Sequence, residues 1–260
     1  MQQLNSLATI IWDVSPDLFP GLRWYSALMG VAVMYGGFLS LWLFKREGQP
    51  ESEDVPITGV TILGAVLGAR LAHVFFYEWA YYSTHLTEIP KIWKGGLASH
   101  GAIVGMVVAI WVFCKVRKRL YYWWVFDRVA LATPFAAALI RLGNLFNSEL
   151  YGKASDAPWA FVFTRIDNIA RHPVQLYEAI GYLLVWAVMM AFYLKKWRTM
   201  RYGTFTAMFL VLANSVRFIM EYFKDMPEVL GPFTMGQWLS VPFILLGTVI
   251  LWWSFRAKRT

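Results

Sequence analysis

Two arginines in this chain stand among residues suited to holding a phosphate. Arg141 is followed by Asn144 and Asn147, and Arg217 has Asn214 three residues before it and Glu221 four residues after. At those spacings each arginine shares a helical face with amides or a carboxylate. A guanidinium fork meets phosphate oxygens bidentately, so the set fits recognition of an anionic phospholipid headgroup. His100, in GGLASHGAIVG, has the chemistry of a general base or proton relay. Cys114, the only cysteine, lies about 21 Å further along the same expected helix. A His–Cys dyad is therefore excluded, and Cys114 reads as a small core residue. His73 reads as structural, with Glu78 or a neighbouring aromatic ring as its partner. His85 and His172 lack metal-ligand spacing, and no GxSxG, HExxH or Walker motif is present. No metal or cofactor is expected, and any attacking nucleophile must come with a substrate.

These groups need elements that bring them together. Of the 260 residues, 58% are hydrophobic and 15% charged, against roughly 25% charged in an ordinary soluble domain. An aqueous monomer could not hide so much apolar surface. The aromatic share of 18% suits a chain that seats rings at a lipid headgroup boundary. Apolar runs of about 20 residues, enough to cross a bilayer, recur at 21–44, 57–79, 97–114, 123–146, 173–194, 204–223 and 235–255. GAIVGMVVAIWVFC and IGYLLVWAVMMAFYL carry no polar stripe of the kind a soluble bundle needs. The expected fold is an all-α integral membrane protein, with seven transmembrane helices in a single multi-pass domain over 1–260. Residues 147–172 form its one long external connection. Gly, Pro and alternating apolar residues there suggest a small periplasmic insertion with a short strand or amphipathic helix.

Lys and Arg counts set the orientation. Lys45, Arg46, Lys115, Arg117, Lys118, Arg119, Lys195, Lys196, Arg198, Arg201, Arg256, Lys258 and Arg259 flank one side. Only Lys91, Lys94, Lys153, Arg165, Arg171 and Lys224 flank the other. The N-terminus is expected outside and the C-terminus inside. The net charge of +8 is thus a topology signal spread over short loops, and no nucleic-acid partner is expected. The first twenty residues lack a basic n-region and a cleavage site, so they do not read as a removed signal peptide.

With that orientation Arg70 and Arg217 stand about 20 Å, and Arg141 about 27 Å, above the inner ends of their spans. Tyr25, His100 and Glu178 lie within about 8 Å of the outer ends of theirs. A single arginine could snorkel to headgroups. Convergence of polar groups from six spans on the outer third of the membrane points to a site instead.

The stretch IRLGNLFNSELYG (140–152) resembles the signature of bacterial prolipoprotein diacylglyceryl transferases, with Arg141, Gly143, Asn144, Asn147, Glu149 and Gly152 on the pattern. LRWYSALMG (22–30), GARLAHVFFY (68–77), SHGAIVG (99–105), RHPVQLYEA (171–179), NSVRFIMEYF (214–223) and MGQWLS (235–240) are similar to further blocks of that family, in family order. Ile140, Leu145, His73 and Ala213 depart from it without replacing either arginine. The resemblance implies transfer of the diacylglyceryl group from phosphatidylglycerol to the lipobox cysteine thiol of a prolipoprotein signal peptide. A thioether forms and glycerol 1-phosphate leaves. It implies a multi-pass protein of the bacterial inner membrane whose site faces the periplasmic leaflet. Arg141 and Arg217 would hold the phosphate and its developing charge, with Asn144, Asn147 and Gly152 also binding substrate. His100 would take the thiol proton, while Tyr25, Glu149 and Glu221 would support catalysis. A different class of reading is a transporter or phospholipid-binding protein with an outer-leaflet anion site, but no inverted repeat is visible.

Overall fold

The computed structural model describes residues 10–256. Seven long helices are present among them: α1 (Trp24–Glu47), α2 (Asp54–Phe76), α4 (Ser99–Arg117), α5 (Tyr122–Asn147), α6 (Val174–Lys196), α7 (Thr204–Met220) and α8 (Met235–Arg256), with a four-residue α3 (Trp79–Tyr82) after α2. Each long helix, with its flanking turn, is long and apolar enough to cross a bilayer. Most of their apolar side chains face outward, which only a lipid surround makes favourable. The chain is an integral membrane protein. Basic residues in the last turns of α1, α4 and α6 complement the negative ends of those helices. Of the basic residues read as flanking charges, Lys258 and Arg259 lie outside the described residues.

Short strands occupy the connections: β1 (Ile10–Trp12), β2 (Asp17–Phe19), β3 (Leu22–Arg23), β4 (Phe161–Phe163), β5 (Ala170–Arg171), β6 (Glu228–Leu230) and β7 (Phe233–Thr234). β4 pairs in parallel with β1 and antiparallel with β5, while β2–β3 and β6–β7 are hairpins. The chain folds as two compact units, one from its length up to Gly36 and from Val129 onward, the other Gly37–Arg128.

In the Gly37–Arg128 unit, α2 and α4 meet backbone to backbone. A Cβ on Gly68 would lie 2.3 Å from the Gly101 carbonyl oxygen, so only glycine permits the approach. Arg70, a candidate for chemistry in the sequence, is 3% exposed and spent on its own connection. It donates to the carbonyls of Ile89 at 2.7 Å, Glu88 at 2.8 Å, Gly95 at 2.7 Å and Gly96 at 3.2 Å. His73 is structural as expected, 3.4 Å from Glu78 and stacked on Tyr77.

In the other unit, Ala138 and Leu142 of α5, Ala179 and Tyr182 of α6, and Ala213 and Val216 of α7 form one packed cluster. Small residues let the three helices close on each other, and the neighbours in sequence of Leu142, Ala179 and Val216 are Arg141, Glu178 and Arg217. Packing thus delivers three charged groups to one place. The segment after α5 is stapled down by Arg171 of β5, which donates to Asp167 at 2.6 Å, to Asp225 at 3.0 Å and to the Gly152 carbonyl at 3.3 Å. The Arg171 hydrogen bond holds the Asp167 carboxyl below its ordinary range, and the same pair raises Arg171 above its own.

Candidate functional site

Glu178 is fully buried near the start of α6, and its two oxygens serve different cations. Oε2 lies 3.0 Å from Arg141 Nε and Oε1 lies 2.9 Å from Lys224 Nζ. Lys224 also donates to Glu221 Oε1 at 2.8 Å, and Glu221 Oε2 accepts from Thr234 Oγ1 at 2.9 Å. Gly236 makes room for that carboxylate, since a Cβ there would sit 2.4 Å from it. Burial of these charges is tolerated because each carboxylate has a cation within 3 Å; removing one partner of such a set typically costs about 3–5 kcal/mol.

Arg217 stands apart. It is half-buried, and its Nε is shut off from solvent with no hydrogen-bond partner among the described residues. The Glu221 expected beside it at i+4 turns to Lys224 instead. α7 ends at Met220, and Glu221–Phe223 is a 3₁₀ turn. The Glu221 amide still bonds the Arg217 carbonyl as in an α-helix, so the two keep their i+4 register, and it is the carboxylate that turns away, to Lys224 and Thr234. Asn214 is likewise spent, donating back to the Leu210 carbonyl at 2.8 Å. The Tyr182 hydroxyl interacts electrostatically with both Arg141 and Arg217.

A second chain of contacts leaves Arg141 in the other direction. Arg141 Nη1 donates to Asn144 Oδ1 at 3.4 Å, and Asn144 and Asn147 each donate to Glu149 at 3.2 Å. Glu149 can reach back because the residues on either side of it, Ser148 and Leu150, both have φ of 55°. Left-handed backbone at two non-glycine residues stores roughly 1–3 kcal/mol each, and Gln175 Nε2 helps secure the turn by donating to the Glu149 carbonyl at 2.7 Å. Tyr25, in the first turn of α1, lays its ring over Gly143, where a Cβ would meet it at 2.7 Å. Its hydroxyl senses Glu149 and Arg141. Gly152 is a point of close approach: its amide donates to the His172 carbonyl at 3.0 Å, it forms a bridge with Lys224, and a Cβ would meet His172 at 2.6 Å.

Tyr25, Arg141, Asn144, Asn147, Glu149, Gly152, Arg217 and Glu221 thus belong to one unit. His100 belongs to the other, exposed in the first turn of α4 with Nε2 3.4 Å from the Tyr77 hydroxyl. Sequence reasoning noticed Glu178 as an in-span charge without giving it a task, and it placed Lys224 among loop charges. Lys224 is in fact 4% exposed and central to the ion network. The available signal was its i+3 spacing from Glu221 just where the apolar run stops. Among the described residues no three His, Cys, Asp or Glu side chains group as metal ligands.

Seven apolar helices, with a buried ion network and an arginine whose Nε has no partner among the described residues, define a polytopic membrane protein. More specifically, the chain belongs to the prolipoprotein diacylglyceryl transferase family, whose profile matches residues 16–253. It is 40% identical to the phosphatidylglycerol–prolipoprotein diacylglyceryl transferase of Chloroherpeton thalassium, over 98% of each chain. Proteins of the same name from Tolumonas auensis and Bacteroides fragilis are 38% and 34% identical, covering 96% and 98% of this chain and 99% and 98% of theirs.

Proposed function

We propose that this protein transfers the diacylglyceryl group of phosphatidylglycerol to the cysteine thiol of a prolipoprotein lipobox. Sulfur bonds to the terminal glyceride carbon as the bond from that carbon to the phosphate oxygen breaks. The electron pair leaves with glycerol 1-phosphate, and His100 is the group assigned to the thiol proton. The phosphate enters as a diester with one negative charge and departs as a monoester with two. A cation that gains a partner only as that charge develops lowers the barrier more than it tightens ground-state binding. The observation that carries this reading is Arg217, whose Nε is buried without a partner among the described residues, on a helix that packs in one cluster with the helix of Arg141.

Arg141 is held through Nε by Glu178 and through Nη1 by Asn144, and the remaining donors of its fork are offered to the headgroup. Asn144, Asn147 and Glu149 fix that fork from the other side, with Tyr25 seated over Gly143 and Gly152 shaping the wall. Glu221 orders the end of α7. In this reading the protein lies in the bacterial inner membrane with its N-terminus outside, and the site opens to the leaflet where exported lipobox peptides arrive. Purified protein given phosphatidylglycerol and a lipobox peptide should yield a peptide heavier by one diacylglyceryl group. A Cys→Ser peptide should remain unmodified, and an unmodified cysteine peptide would refute the assignment.

A further inference from the structure

Lys224 is the most buried lysine of the described chain whose charge the reaction does not call on directly. At 4% exposure it cannot touch a lipid headgroup, yet it joins the two carboxylates of the site. Its backbone is fixed from two sides, by the bridge to Gly152 and by the bond of its amide to the Glu221 carbonyl at 3.2 Å. The side chain then spans from the 3₁₀ turn to α6, placing Nζ 2.8 Å from Glu221 and 2.9 Å from Glu178.

We infer that Lys224 is a positioning residue for transfer: by neutralising and separating Glu178 and Glu221 it leaves only one oxygen of Glu178 for Arg141, so that the Arg141 fork stays turned to the substrate. This rests on the proposed function above. An ammonium suits the task, because a compact point charge can lie within 3 Å of both carboxylates at once. Without it, two buried carboxylates would face the same gap with no cation between them, an arrangement that disfavours their charged forms. Both oxygens of Glu178 would then be free for Arg141. A guanidinium can satisfy them bidentately, and doing so draws the fork off the phosphate.

The test is a mutant cycle in detergent–lipid micelles, read as kcat and KM for phosphatidylglycerol transfer to a lipobox peptide. Lys224→Met should lower kcat by about 100-fold, the scale on which a misplacement near 1 Å costs catalysis, with KM moving far less. Lys224→Arg, which restores a cation between the carboxylates, should recover most of the loss. In an Arg141→Lys background, where there is no fork to turn, Lys224→Met should add no more than about twofold, the limit for effects that act through the same group rather than independently. If Lys224→Met does not accumulate as folded protein, Lys224→Gln, which keeps two donors and removes the charge, takes its place under the same criteria. A full-size additional loss in the Arg141→Lys background would overturn the inference and mark Lys224 as a general structural support. So would wild-type kcat in either neutral variant. An inactive wild-type protein would instead refute the transferase reading, and the two failures are thereby distinguished.

Discussion

Arg217→Ala should separate activity from stability in opposite directions. Arg217 Nε is buried without a partner among the described residues, and an unmet buried donor costs about 1–3 kcal/mol, more when charged. Truncation removes that cost while giving up some packing of the side-chain methylenes. The lipid-free protein should therefore gain about 1 kcal/mol or hold level. Turnover should fall by about 10²–10³, the loss seen when one donor to a developing oxyanion is deleted, equal to about 2.7–4 kcal/mol. Arg141→Ala makes the contrast, because it strips Glu178 of one of two cations and should destabilise by about 3 kcal/mol or more. Thermal unfolding in neutral detergent, with and without phosphatidylglycerol, reads the stability; peptide modification reads turnover. Phosphatidylglycerol should raise the midpoint of the wild type and of Arg217→Ala to a similar extent, because the lost contact is made mainly as the second charge develops. The reasoning fails if Arg217→Ala is destabilised as strongly as Arg141→Ala, or if it keeps wild-type turnover.

Three further outcomes follow from particular contacts. Gly143→Ala places a methyl 2.7 Å from the Tyr25 ring and should cut turnover by about 10-fold or more through displacement; Gly30→Ala, with nothing within 4 Å, should leave turnover intact in the same kinetic assay. Arg70→Met removes four bonds to the carbonyls of residues 88–96 and should destabilise by about 3 kcal/mol or more, with protease cleavage appearing first in that connection. Asp167 has its folded pKa depressed by Arg171, so its contribution is present above the unfolded value and is lost as pH falls through the folded one. Amide exchange in 155–171, corrected for intrinsic rate, should therefore quicken below about pH 4, and Asp167→Asn should remove that acid dependence.

The spans and the face joining Arg141, Asn144 and Asn147 were legible because both depend on local periodicity: a bilayer sets the length of an apolar run, and one helix turn sets which residues align. Contacts made across helices depend on how each helix is rotated and how it ends, and these were not legible. Glu221 illustrates this: it keeps its i+4 register to Arg217, yet its carboxylate goes to Lys224 and to Thr234 of β7, partners that helix periodicity does not reveal. Arg70 had the burial and charge of a site residue, but the carbonyls it serves belong to a connection with no pattern of its own. The parallel pairing of β1 with β4 joins residues about 150 positions apart in the chain, and two short apolar triplets give no sign of it. Lys224 looked like a loop charge because it follows the last apolar residue of its span.

The most direct measurement is the stoichiometry of the two products. With wild-type protein, phosphatidylglycerol and a lipobox peptide, the thioether peptide and glycerol 1-phosphate should appear one for one, and both should fall together in Arg141→Ala and in Arg217→Ala. Release of glycerol 1-phosphate without thioether, or equal yields of both products in the two arginine variants and the wild type, would contradict the account.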